Sequence, residues 1–144
     1  FAATSKNPTE MTDLKTGQKT CPQVSRREDF NRCNFMTGYG KPGFAEPPED
    51  PFWQVLERLR RIGVHGDTIL CCTDSIMKMV TGEIDACIFQ PDEFDTAAAG
   101  LILKQSGGRI TDFKGNEWKC YTKRTLATNG KIHDQLLKII NKSF

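Results

Sequence analysis

The sequence predicts an α/β fold: a layered, largely parallel or mixed sheet flanked by helices. Two observations carry this. From about residue 50 onward, segments with a 3.6-residue apolar period alternate with short apolar runs across brief Gly-rich connections. Two of those runs, 68–72 and 84–89, are nearly continuous in apolar residues, as strands covered on both faces are.

The first fifty residues are polar and broken by Pro8, Pro22, Pro42, Pro47 and Pro48. Thr16, Gly17 and Gln18 are turn-formers, and only 22–25 and 33–37 give strand signals, the latter through Phe35 and Met36. Asp50 then suits an N-cap and Pro51 the first helical position, so Phe52, Val55, Leu56, Leu59 and Ile62 form one stripe of a helix over 51–62. After the strand at 68–72, Thr73 is placed to cap a helix carrying Ile76, Met77 and Val80, which Gly82 ends in a left-handed conformation. The strand at 84–89 is interrupted only by Asp85. A helix over 95–105 stops at Gly107 and Gly108. Strands at 109–113 and 125–128 enclose a turn at 114–116, and a last helix buries Ile132, Leu136, Leu137, Ile139 and Ile140. A chain of 144 residues fits one domain over 1–144.

Composition narrows the function classes. Twenty Lys plus Arg against 18 Asp plus Glu leave +2, without a basic stripe, so nucleic acid is not expected as a partner. The cluster Arg58, Arg60, Arg61 reads as the solvated face of its helix. No stretch reaches the roughly 18 apolar residues of a membrane span, so the chain reads as soluble and cytoplasmic. Six cysteines without a CxxC pair read as free thiols. His65 reads as a loop histidine, and His133 with Asp134 diverge around a helix rather than forming a catalytic pair. Asp92 and Glu93 read as turn charges within reach of a metal's outer shell.

The string Phe94-Asp95-Thr96-Ala97-Ala98-Ala99-Gly100 sets a carboxylate at the mouth of a strand-to-helix turn. On local physics Asp95 is either a plain N-cap or a metal ligand. Together with Gly107-Gly108-Arg109-Ile110-Thr111-Asp112 and Gly115, this string resembles the C-terminal motif of the inositol monophosphatase family, the lithium-sensitive, magnesium-dependent sugar phosphatases. Gly17-Gln18-Lys19, Val24-Ser25 with Glu28-Asp29, Met79-Val80-Thr81-Gly82-Glu83-Ile84-Asp85-Ala86 and Ala127-Thr128-Asn129-Gly130 extend the resemblance over nearly the whole chain.

The resemblance implies a phosphomonoesterase with two or three Mg2+ ions, acting on inositol phosphate or a related sugar or polyol phosphate by metal-activated water attack. It implies Asp95 as a metal ligand and a substrate-facing turn at Cys71, Cys72 and Thr73. Gln90 stands nearest to where many members carry a substrate-contacting Glu, and Phe94 where they carry Trp. The family's N-terminal half brings a metal-binding Glu and an Asp-Pro-Ile-Asp-Gly-Thr segment; no Asp-Gly-Thr occurs here, and Glu49-Asp50 lies in a Pro-rich loop. The expectation is therefore the C-terminal, substrate-side half of a phosphatase, catalytically incomplete alone, whose partner half or a separate chain supplies the remaining ligands. Such a half exposes surface that favours a homo-oligomer. The rival expectation is a non-catalytic binding or assembly module that retains the fold. A nucleotide-binding α/β domain ranks below both, for want of a glycine-rich fingerprint.

Overall fold

The computed structural model describes residues 8–38, 51–62, 64, 66–69, 71–90 and 95–142. In chain order they form β1 (Met11–Thr12), β2 (Lys19–Thr20), a 3-10 turn at Phe30–Arg32, β3 (Phe35–Gly38), α1 (Pro51–Arg61), β4 (Gly66–Ile69), α2 (Cys72–Val80), β5 (Ala86–Phe89), α3 (Ala97–Gln105), β6 (Arg109–Asp112), β7 (Thr125–Thr128) and α4 (His133–Ile140). Strands β1 and β2 make a separate antiparallel hairpin. The main sheet runs β4-β3-β5-β7-β6. It is mixed: β3 lies parallel to both β4 and β5, and β7 runs antiparallel to β5 and β6.

Handedness explains where the helices lie. The step from β3 to β4 moves toward one edge, and those from β4 to β5 and from β5 to β6 move toward the other. Parallel crossovers share one hand, so reversing direction moves the connecting helix to the opposite face. Accordingly α1 and α4 pack together, and α2 packs on α3. Strand alternation divides the interior to match. Ala86, Ile88 and Leu126 join Phe52, Val55, Leu56, Leu59, Leu136 and Ile140 of α1 and α4. Cys87, Phe89, Ala127 and Ile110 join Ile76, Met79, Val80, Ala99, Ile102 and Leu103 of α2 and α3.

Several expectations shift. The apolar run at 68–72 is partly strand and partly helix, because β4 occupies 66–69 and α2 already starts at Cys72 with Cys71 as its N-cap. Thr73 therefore lies in the first turn of α2 instead of capping it. Segment 22–25 is not a strand; Val24 instead donates its N–H to the Ser106 carbonyl at 3.0 Å. The helix at 51–62 ends at Arg61, leaving Ile62 half exposed. Gly82 does terminate α2 with φ +80°, a conformation that disfavours any side chain.

Two buried polar knots hold the layers. His133 is fully enclosed at the start of α4, with Nε2 3.0 Å from Thr111 Oγ1 and Nδ1 2.9 Å from Thr128 Oγ1. The Thr111 hydroxyl donates to the Asp112 carbonyl and Thr128 Oγ1 accepts from the Gly130 N–H. Thr111 thus accepts from Nε2–H and Thr128 donates to Nδ1, which assigns the neutral Nε2–H tautomer. Burial, and then the charge of Arg109, push the His133 pKa down to about 4 against the opposing pull of Asp134.

The second knot centres on Asp85, which is also fully enclosed. Arg27 Nη1 lies 2.9 and 2.8 Å from its two carboxylate oxygens, the Asn34 N–H donates at 2.7 Å, and the Ser25 hydroxyl donates as well. Asn129 Nδ2 bridges to Ser25 Oγ, to the Arg27 carbonyl and to Asp85 itself. The polar N-terminal segment is thereby fastened to β5 and β7 through one buried charge, paired and hydrogen-bonded as burial requires.

Candidate active-site face

Helices α2 and α3 begin on the same face of the sheet. The side-chain hydroxyl of Thr73, in the first turn of α2, donates to the backbone carbonyl of Asp95, just ahead of α3. Two nine-residue helices thus present neighbouring N-termini. Neither is closed by a side chain: Cys71 and Thr96, the N-cap residues, make no capping hydrogen bond. Helix N-termini direct free N–H groups and a partial positive charge outward, an environment suited to an anion.

Asp95 is exposed and precedes α3, which starts at Ala97 with Thr96 as N-cap. The N-cap position of α3 thus falls on Thr96, one residue after Asp95. Among the described residues no hydrogen bond or ion pair engages the carboxylate; what holds Asp95 is its backbone, through Thr73. Beside it, Thr96 is fully buried with its hydroxyl unpartnered. Burying an unpaired hydroxyl costs free energy, so this turn is held by the packing around it.

The other candidates lie around the same turn. Cys71 and Thr73 are exposed, and Cys72 is half-buried against the α2/α3 core. Gln90 is half-buried directly after β5. Cys87, below Cys72, is completely enclosed, and burial raises its thiol well above the ordinary range, so it is an inert core residue. Glu49, Asp50, His65, Asp92, Glu93 and Phe94 lie outside the described residues.

The described residues do not make a complete magnesium site. No group of three His, Cys, Asp or Glu side chains among them could hold an ion. Asp95 is a suitable hard oxygen donor, but a single carboxylate leaves most of an octahedral Mg2+ shell unprovided by protein.

Sequence reasoning missed the Asp85 knot, although its signal was present as the one charge inside an apolar run. Asp112, in the Thr-Asp motif, is turned into its own loop. Burial tends to raise its pKa, but hydrogen bonds from the Asn116 side chain and from the backbone of Asn116, Lys114 and Gly115 hold it below the usual carboxylate value.

The model of the inositol monophosphatase family matches residues 4–143. The chain belongs to that family. A fructose-1,6-bisphosphatase/inositol-1-monophosphatase of Thermotoga maritima is 32% identical over 121 residues, which are 83% of this chain and 44% of that protein. Inositol monophosphatase 1 of Homo sapiens is 29% identical over 120 residues, covering 81% of this chain and 42% of the relative. The solved structure of Mycobacterium tuberculosis SuhB superposes with a TM-score of 0.75 at 17% identity, over 96% of this chain and 54% of that one, which supports the fold. The chain thus spans about half the length of the relatives it matches, and it is a partial inositol monophosphatase-family domain in a family of phosphomonoesterases. No helix among the described residues is long and apolar enough to cross a membrane.

Proposed function

We propose that residues 1–144 form the C-terminal, substrate-side domain of a magnesium-dependent phosphomonoesterase acting on inositol phosphate or a related sugar or polyol phosphate. The observation that carries this reading is the Asp95 carboxylate: exposed, uncapped, and fixed by its backbone to Thr73 between two open helix N-termini. A carboxylate left without a partner at a rigid, anion-attracting corner is what a divalent cation bridging protein and phosphate requires.

In this reading Asp95 supplies one oxygen ligand, and Cys71, Cys72, Thr73 and Gln90 form the wall that meets the substrate hydroxyls. The remaining ligands for two or three ions come from polypeptide outside these residues, so the chain alone does not turn over. Once complete, such a site supplies metal-assisted hydrolysis. The name of the Thermotoga relative joins a sugar bisphosphate and a polyol monophosphate, which supports the substrate class and leaves the particular substrate open.

The test is phosphate release from a panel of sugar and polyol monophosphates, with Mg2+, by the full-length polypeptide carrying these residues and by its Asp95→Asn variant. Release that falls at least 100-fold on substitution supports the assignment. Full activity in the variant refutes the role given to Asp95. A full-length protein inactive on the whole panel favours the second reading, a binding or assembly module, toward which Gln90 in place of Glu and the lack of a three-ligand cluster among the described residues both point.

A further inference from the structure

Asn129 and Gly130 form the only Asn-Gly step in the sequence. Such a step is chemically labile, because a glycine has no Cβ to hinder the attack of its backbone nitrogen on the preceding side-chain amide. The fold nevertheless requires both residues. Gly130 turns the chain from β7 toward α4 at φ +82°, and a Cβ there would lie 3.2 Å from the Gly107 carbonyl oxygen. Asn129 is 2% exposed and its whole amide is engaged. Nδ2 reaches Ser25 Oγ and the Arg27 carbonyl at 2.9 Å and Asp85 Oδ1 at 3.3 Å, while Oδ1 accepts the Lys131 N–H at 3.0 Å.

While the Asp85 knot is closed, the backbone on both sides of this side chain is also fixed. The Gly130 N–H donates to Thr128 Oγ1 at 3.0 Å, and the Asn129 N–H donates to the Asp85 carbonyl at 2.8 Å. Bringing Asn129 Cγ onto the Gly130 nitrogen therefore means breaking the side-chain bonds together. Their outer cover is the weaker layer. Ser25 and Arg27 belong to segment 23–34, in which no residue is fully buried. A segment with few buried contacts opens at lower free energy than the sheet it lies on.

We propose that Asn129 is a modification site gated by this segment: when residues 23–34 lift away it deamidates, and the product cannot hold them again. The Gly130 nitrogen attacks Asn129 Cγ, the Cγ–Nδ2 bond breaks, and Nδ2 leaves as ammonia together with the Gly130 amide proton. Water then opens the five-membered imide at either carbonyl, giving aspartate or isoaspartate. The carboxylate left at position 129 has no proton to donate to Ser25 Oγ or to the Arg27 carbonyl. It also faces the Asp85 carboxylate across the gap that the amide bridges at 3.3 Å, and two carboxylates in one enclosed site disfavour each other. A transient opening thus becomes a permanent release of the N-terminal segment.

The test follows position 129 in the full-length polypeptide at pH 8 and 37 °C. Deamidation is read by mass spectrometry of the tryptic fragment 125–131, which contains no other asparagine, and by isoaspartate methyltransferase labelling. The folded protein is expected to react at least 100-fold more slowly than the synthetic peptide 125–131. Ser25→Ala removes a hydroxyl bonded to both Asn129 and Asp85 and should speed the reaction at least tenfold. In the unsubstituted protein, urea below the global transition should raise the rate with a slope shallower than that of global unfolding, which tests the gate without a variant. Asn129→Asp should lose hydrogen-exchange protection at the Val24 and Asn34 amides while β5 and β7 keep theirs. Reaction as fast as in the peptide, a rate that follows global unfolding alone, no acceleration in folded Ser25→Ala, or full protection in Asn129→Asp overturns the proposal.

Discussion

The Thr73 hydroxyl donates to the Asp95 carbonyl and so joins the first turn of α2 to the approach of α3. The bond crosses between two elements that share no strand ladder, and it fixes the backbone that carries the Asp95 carboxylate. Thr73→Val keeps the shape and removes the donor. A neutral hydrogen bond of this kind contributes about 1 kcal/mol net. We expect a small loss of stability, a Mg2+ requirement raised about three- to tenfold in the full-length protein, and recovery in Thr73→Ser. Magnesium titration of phosphate release, compared across the three proteins, measures this.

His133 makes stability depend on pH in a defined window. Its folded pKa is lowered to about 4 from an ordinary value of 6.5, so between those values the unfolded chain binds the extra proton and the folded chain does not. Stability from this group is complete above pH 6.5 and is lost as pH falls toward 4, with a full span on the order of 3 kcal/mol. The structural reason is that an imidazolium has two donors, while the Thr128 hydroxyl is already a donor toward Nδ1. Urea midpoints between pH 4.5 and 7.5 should fall with acid more steeply in the native protein than in His133→Gln, which is less stable at neutral pH and lacks this component.

Helix α1 was legible because its apolar residues recur at helical spacing, with Pro51 at its first position. The register of β4 was not, since an apolar run reads alike as strand or as the first turn of a helix, and the true strand begins with Gly66 and Asp67, which carry no hydrophobic signal. The motif located Asp95, but its tether is a contact between residues 22 positions apart that no local pattern encodes. The Asp85 knot is harder still. It gathers Ser25, Arg27 and Asn129 from remote segments, and their convergence follows only from strand order and handedness.

Asp85 is the point at which the N-terminal segment is most exposed to damage. Replacing it with Ala removes the partner of Arg27 and of the Asn34 N–H together, and breaking a buried pair from one side costs about 3–5 kcal/mol. Residues 24–34 should then detach before the sheet unfolds. Hydrogen exchange will show this as selective loss of protection at the Val24 and Asn34 amides, with β5 and β7 protected until global unfolding. Uniform loss of protection across the whole sheet would instead make the knot part of the core's cooperative unit.

Gly100 in α3 lies against Trp118, and a Cβ built there would come within 2.7 Å of the ring atom Cη2 and 2.8 Å of Cζ3. The ring is flanked by α3, carries a buried Nε1 with no partner, and has the Lys104 ammonium 5.9 Å from its centre. Helix propensity alone favours Ala over Gly by up to about 1 kcal/mol, so a substitution judged on α3 in isolation should stabilise. Overpacking typically costs about 1–3 kcal/mol and here acts in the opposite direction. We expect Gly100→Ala to destabilise and to alter Trp118 fluorescence. Since Phe lacks the indole atoms that a Cβ would strike, Gly100→Ala with Trp118→Phe should be more stable than the two single effects predict. A denaturation cycle over the four proteins measures that coupling, and strict additivity would show that the ring moves aside freely.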